Sequence, residues 1–418
     1  MKRLLALVFL VPLLAPAQML QQIVQGTSGF QTYSDDFNRA NGDLGPNWQK
    51  SLATGPNAVG ALTIVSNAVM AAVVPMLHSQ AVYKAGSFGN NQWTSFTIQS
   101  GNGGISAGQE AVVRANGLDF YNDAVAAGSS MGGLVLYRIG NAASVDFCGS
   151  IPMADYAIGD RHTLNVAGTG PVWFWAMRTP SGSTVPTINA ACVDVTDNIV
   201  GGIPGLGEDD NNSTPTLISD NWQGGSLPSF STVPSDNFQR DDAGWLGVNW
   251  GFDPTGQCTG SPGSYMLLSN HAAINQKAGQ QSVAIWTTPF AAGANQASVI
   301  QIGNFHTGDF VGPVVRYSPG TICNESYYFA LLSGGSAQLY KYTSNAQTNL
   351  TTFGTFGGTP TSMELDATGT NPVTLTLKIN GTVIGSPYVD STYHLAGTYE
   401  GFTMFGTNLT TITGWTGN

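Results

Sequence analysis

The chain is expected to be all-β, built as two tandem antiparallel β-sandwiches, and three observations point there. A long motif occurs twice: Asp35 to Trp48 reads DDFNRANGDLGPNW, and Asp236 to Trp250 reads DNFQRDDAGWLGVNW. The segments after each copy are short, alternate apolar with polar residues, and are bounded by Gly, Asn, Pro and Ser, the period-two pattern of half-buried strands. Charged residues make up only 9% of the chain, well under the usual quarter, which fits a polar, weakly charged, Gly- and Thr-rich β-protein.

The motif fixes the division. Asp35, Phe37, Arg39, Leu44, Gly45, Asn47 and Trp48 find partners in Asp236, Phe238, Arg240, Leu246, Gly247, Asn249 and Trp250, with one extra residue in the second turn. Residues 1–17 read as a signal peptide: Lys2 and Arg3 precede an apolar run from Leu4 to Leu14, and Ala15-Pro16-Ala17 supplies the small residues of a cleavage site. The run is too short to span a bilayer, and no later stretch approaches the required ~18 apolar residues. Residues 18–32 form a polar lead-in, 33–225 the first sandwich, 226–235 a Ser/Pro linker (SLPSFSTVPS), and 236–418 the second sandwich. Export implies a secreted or cell-surface protein. A formal net charge of -11 argues against nucleic acid and anionic lipid, both of which need basic patches.

Matches continue through both copies. Leu62 to Asn67 resembles Met266 to Asn270, Val112-Val113-Arg114 matches Val314-Val315-Arg316, and Leu136-Tyr137-Arg138 matches Leu339-Tyr340-Lys341. Val193-Asp194 matches Val389-Asp390, and the closing Asn221-Trp222 corresponds to Gly414-Trp415. Val373 to Ile379 followed by Asn380-Gly381 is a strand running into a tight hairpin. Asn122 to Gly128 and His271 to Gln280 are the two places where a turn of helix is expected. Strands of this number and spacing favour a jelly roll.

These motifs resemble the concanavalin A-like lectin/glucanase superfamily in its laminin-G-like form. The carriers are the D-x-F-x-R…LG-x-NW opening, the VVR strand, the Asn-Gly hairpin and the Asp…Gly…Gly segment before a closing Trp. The resemblance implies a jelly-roll sandwich and a choice among sugar-binding modules, adhesion modules and glycoside hydrolases. It also implies an optional structural Ca²⁺.

The hydrolase option needs the pattern E-x-D-x-x-E, with carboxyls about 5 Å apart in the retaining case. Glu364 and Asp366 supply two members, but the third is Gly369, and the first copy has Arg161 to Asn165 there. No G-x-S-x-G is present. No catalytic residue is assigned. Asp35, Asp194, Asp236 and Asp390 are either Ca²⁺ ligands or partners of nearby cations. Glu208 to Asn212 reads as an acidic loop. Cys148, Cys192, Cys258 and Cys323 are expected to pair within their own copies, 148 with 192 and 258 with 323.

One strand differs between the copies in a telling way. Val172-Trp173-Phe174-Trp175-Ala176-Met177 aligns with Val373-Thr374-Leu375-Thr376-Leu377-Lys378. Alternation turns Leu375, Leu377 and Phe174 to the core, and Trp173, Trp175 and Met177 to the outer side. Two outward Trp form a platform for sugar rings or for a protein surface, unless a loop or the second copy covers them. The ligand-binding candidates are therefore Trp173, Trp175 and Met177, with Arg114, Tyr137, Arg316 and Tyr340 on the matched strands. The expected function is non-catalytic binding of an extracellular polysaccharide or glycoconjugate. The alternatives are a structural or adhesion module that self-associates, and a glycoside hydrolase or lyase with an unfamiliar site.

Overall fold

The computed structural model describes residues 32–50, 62–71, 77–100, 107–116, 119–125, 133–140, 143–146, 151–152, 156–196, 199–210, 218–252, 265–276, 278–291, 293, 295–320, 324–344, 346–392, 394–407 and 409–418. The expected signal peptide and most of the lead-in lie outside these residues. The described elements are all strands, and every strand pairing is antiparallel. The strands form four sheets. No helix among the described residues is long and apolar enough to cross a membrane.

In the first half, sheet A1 runs Thr187–Asp194, Val172–Thr179, Arg161–Ala167, Gln92–Ser100, Ile218–Ser226, Ala68–Ala71, Leu62–Val65, and Thr32–Asp35 adds to Ile218–Ser226. Sheet B1 runs Ala143–Asp146, Gly133–Gly140, Asp119–Val125, Ala107–Asn116, Ile203–Asp210, Leu77–Tyr83, Trp48–Lys50, with Ile151–Pro152 beside Gly133–Gly140. In the second half, sheet A2 runs Met266–Ser269, Ala272–Asn275, Thr411–Thr416, Gln296–Asn304, Ser362–Thr368, Val373–Ile379, Thr382–Val383. Sheet B2 runs Trp250–Phe252, Gln280–Trp286, Tyr399–Gly406, Phe310–Ser318, Ser326–Ser333, Ser336–Thr343, Ala346–Thr355. Matched sequence segments occupy matched places in this order. Among the described residues no strand of one half pairs with a strand of the other.

Neither expected helical turn is found among the described residues. Asn122 to Val125 belongs to Asp119–Val125, and Ala272–Asn275 is one arm of a hairpin. Glu208 to Asp210 likewise continue the strand Ile203–Asp210 rather than opening a loop. The hairpin turns carry the left-handed conformations that two-residue loops demand. Asn380 and Gly381 have φ of 49° and 74°, Asn270 and His271 50° and 58°, Ser66 and Asn67 53° and 64°.

The repeated motif is a structural clamp. Arg39 donates to both carboxylate oxygens of Asp35 at 2.6 and 3.0 Å and to the Leu44 carbonyl. The Trp48 indole donates to Asp35 at 2.7 Å, and the Phe37 amide at 2.9 Å. In the second half Arg240, Trp250 and the Phe238 amide donate to Asp236 in the same way, and Arg240 also donates to the Leu246 carbonyl. Phe37 and Phe238 have φ of 50° and 53°, the same left-handed bend in each copy. Trp48 packs on Trp222 at 4.8 Å, and Trp250 on Trp415 at 4.9 Å. Opening and closing segments thus meet in each core.

Alternation along Val172–Thr179 places Phe174 and Ala176 in the first half's own core, as expected. Trp173, Trp175 and Met177 face the other way but are not exposed: they join a second cluster with Trp250, Phe252, Ile285 and Tyr399 of the second half. The two sandwiches are welded through the outer face of sheet A1.

Candidate functional site

The weld corrects the expected platform. Trp173 and Trp175 are 1% and 0% exposed. The Trp175 indole nitrogen donates to the Trp250 carbonyl at 3.0 Å, and its ring meets Trp245 at 5.6 Å. Trp173 meets Tyr399 at 6.0 Å. A Cβ on Gly251 would lie 2.1 Å from the Trp173 ring, and one on Gly244 would lie 1.2 Å from the Pro186 carbonyl oxygen. Met177 is buried in the same cluster. These side chains are unavailable to a ligand because burying two indoles against the sister sandwich is worth more than leaving them wet. Each Trp removes roughly 150–250 Å² from water, at ~25 cal/mol per Å².

Two of the other candidates, the matched arginines, serve the fold. Arg114 and Arg316 are fully buried. Each interrupts its strand at φ near +55°, and each backbone amide donates to a glutamine, Gln92 at 2.9 Å and Gln296 at 2.7 Å. The Arg114 guanidinium donates to the carbonyls of Asn90, Ile199 and Gly168 at 2.7, 2.8 and 2.5 Å. Arg316 donates to Gly369 at 2.9 Å. Tyr340 stacks on Phe329 at 5.2 Å and donates to Gln338. Tyr137 lies on the strand Gly133–Gly140, and its side chain is outside the described residues.

The four aspartates are held by cations and donors, which favours the partner reading over the ligand reading. Asp35 and Asp236 sit in the clamp. Asp194 accepts from Arg138 at 3.1 Å and from the Thr196 amide and hydroxyl at 2.9 and 2.8 Å. Asp390 accepts from Tyr328 at 2.6 Å and Lys341 at 3.3 Å. Tyr328 is raised above the ordinary tyrosine value by burial and by that bond. Among the described residues no cluster of three His, Cys, Asp or Glu is placed to hold a metal.

Glu364 and Asp366 lie side by side on the outer face of sheet A2. Both share the Lys378 ammonium, at 2.7 and 2.8 Å, and the bonds from Asp366 and Glu364 raise the Lys378 pKa. This is a partly exposed ion-pair triad. Cys148, Cys258 and Cys323 fall outside the described residues. Cys192 is in the first core, and no described cysteine is free.

The feature that sequence reasoning missed is a cleft of about 840 Å³ at the junction of the halves. The first half contributes Ser87, Gly89, Asn90 and Asn91 from one loop and Gly168 to Pro171 from a hairpin turn. The connecting segment adds Ser226, Leu227, Ser229 and Phe230, and the second half adds Thr287, Pro289 and Tyr399. None of these side chains is charged.

The walls are tied down. Asn91 accepts from the Gly168 amide at 3.0 Å and donates to the Pro228 carbonyl at 2.8 Å, while its own carbonyl accepts from Leu227 at 2.8 Å. Arg114 grips the carbonyls of Asn90 and Gly168 from beneath, so it positions two cleft loops. Ser231 is held by Asn249 at 2.8 Å and by Thr288 at 2.9 Å. The Ser/Pro segment is therefore stitched to both halves. Burial pushes the Tyr399 hydroxyl up to about 12, so it stays a hydrogen-bond donor at ordinary pH. Only the polar, uncharged composition hinted at this site; its residues are scattered from 87 to 399.

No family model matches the chain, and no curated protein matches it. Solved structures that the chain matches include the carbohydrate binding module CBM66 from Bacillus subtilis, at 11% identity over 39% of this chain and 91% of that one, TM-score 0.30. The VIP36 exoplasmic/lumenal domain in its Ca²⁺/Man3GlcNAc-bound form matches at 8% identity over 45% and 87%, TM-score 0.33. The GH43 protein BlXynB from Bacillus licheniformis matches at 13% identity over 87% and 75%, TM-score 0.30. Scores this low assign no function to this chain.

Proposed function

We propose that the chain is an exported, non-catalytic glycan-binding protein whose ligand occupies the cleft between the two sandwiches. The observation that carries this reading is the lining: amides, hydroxyls and two aromatic rings without a single charge. Sugar hydroxyls both donate and accept, and side-chain amides offer both functions. Phe230, only partly buried, supplies aromatic surface for a ring's apolar face, and Tyr399 backs the wall from within the junction. A junction between domains is also where ligand clefts tend to form.

The non-catalytic part of the reading rests on the same residues. Among the described residues the cleft lining carries no carboxylate pair, no nucleophile beside a base and no histidine, the groups that general acid–base or covalent glycosyl transfer would use. The test is intrinsic Trp fluorescence against a polysaccharide panel, with a reducing-sugar assay alongside. A saturable change with no sugar released is expected. Sugar release by the wild-type protein would overturn the non-enzyme reading, and a flat response across the panel would remove the glycan.

A further inference from the structure

The sequence repeat invites the expectation of two equivalent sites, one per copy. We infer instead that the chain carries a single composite site, completed only by the docked pair, and that it takes a neutral glycan segment rather than an acidic one. This rests on the glycan reading above.

Three observations support it. First, the cleft walls come from both halves and from the segment between them. Thr169 of the first half, Phe230 of the connection and Tyr399 of the second half line one space. Neither half holds all three, so neither half repeats the site. Second, the docking that creates the cleft is asymmetric. The second half presents Trp245, Gly244 and Gly251 to the outer face of sheet A1. The matched outer face of sheet A2 carries Thr374, Thr376, Lys378, Glu364 and Asp366, and the matched edge of the first half carries Gln49 after Trp48. Ion pairs and threonines there replace the indoles, so a second junction of this kind does not form at either end. Contacts of this head-to-tail type would otherwise propagate into a chain of domains. Third, the lining has no Lys or Arg to pair with a uronate or sulfate, and the chain's net charge of -11 repels both.

The experiment is calorimetric titration of the full chain. The probes are neutral oligosaccharides of β-1,3- and β-1,4-linked hexoses and of xylose, with polygalacturonate as the acidic control. Thr169→Asp tests the first-half wall and Pro289→Asp the second-half wall, both at exposed positions. Thr374→Asp, on the face matched to Trp173, is the control. Should either wall variant fail to fold, Ser87→Asp and Tyr399→Phe replace them. One ligand site per chain is expected, weakened about tenfold or more by each wall variant and unchanged by Thr374→Asp. Two sites per chain, a wall variant without effect, or equal binding of polygalacturonate would overturn the composite neutral site while leaving glycan binding intact. No binding of any probe by the wild-type protein would bring down both.

Discussion

The indole nitrogen of Trp175 donates to the main-chain carbonyl of Trp250 across 3.0 Å, from the outer face of one sandwich to the edge strand of the next. Trp250 is itself the last residue of the second clamp. The junction is therefore tied directly to the motif that opens the second half. Replacing Trp173 and Trp175 together by Thr, the residues of the sister strand, should destabilise the protein by roughly 3 kcal/mol or more, because each leaves a large cavity in a close-packed interface. Denaturant unfolding measures it. An unchanged midpoint would mean that the junction contributes nothing to stability.

Asp309 is 1% exposed and accepts from the amides and hydroxyls of Thr407 and Thr410 at 2.6 to 3.2 Å. Burial alone would raise its pKa, but these bonds outweigh burial and hold it below the ordinary carboxylate value. A depressed folded pKa gives stability that is fully present above the unfolded value near ~3.9 and is lost as pH falls through the folded one. Asp309→Asn should cost about 1–3 kcal/mol at pH 7. Its deficit should narrow near pH 2, as read from thermal unfolding across pH.

Glu400 behaves in the opposite sense. It is fully buried, and burial pushes its pKa up to about 8. A raised folded pKa gives stability that is full below the unfolded value near ~4.3 and is lost as pH rises through the folded one, at up to about 1.4 kcal/mol per unit. Glu400→Gln keeps an acceptor for the Asn418 amide, which now donates to Glu400 at 3.3 Å. The variant should be more stable than wild type at pH 9 and nearly equal at pH 4. Parallel pH–stability curves for the two proteins would contradict this.

Changing Glu364 and Asp366 together to Ala removes the triad on Lys378. Partly exposed ion pairs contribute little, so the loss of stability should stay within about 1 kcal/mol. Glycan binding should persist, and neither protein should release reducing sugar. Hydrolysis by wild type that vanishes in the double variant would make the pair catalytic after all.

Non-reducing peptide mapping should recover Cys148 joined to Cys192 and Cys258 joined to Cys323. A peptide linking one half to the other, or free thiols in secreted material, would refute pairing within each copy.

The sequence alone determined what is local and periodic. Alternation identified the strand Val373–Ile379, Asn380-Gly381 its turn, and the recurrence of Asp, Phe, Arg and Trp the two copies, while the structure decided that Asp35 and Asp236 are clamped by Arg and Trp. Alternation also placed Trp173 and Trp175 correctly on the face opposite their own core, because side-chain direction in a strand has a period of two. What covers that face depends on a contact between residues some 75 positions apart, Trp175 and Trp250, and no pattern within either strand encodes it. The same holds for Arg114, a ligand-binding candidate in the sequence that is spent holding the carbonyls of Asn90 and Gly168. Only the tertiary structure could assemble the cleft. Its walls are loops, whose sequences carry no period, and they meet because two independently patterned sandwiches bury a shared apolar surface.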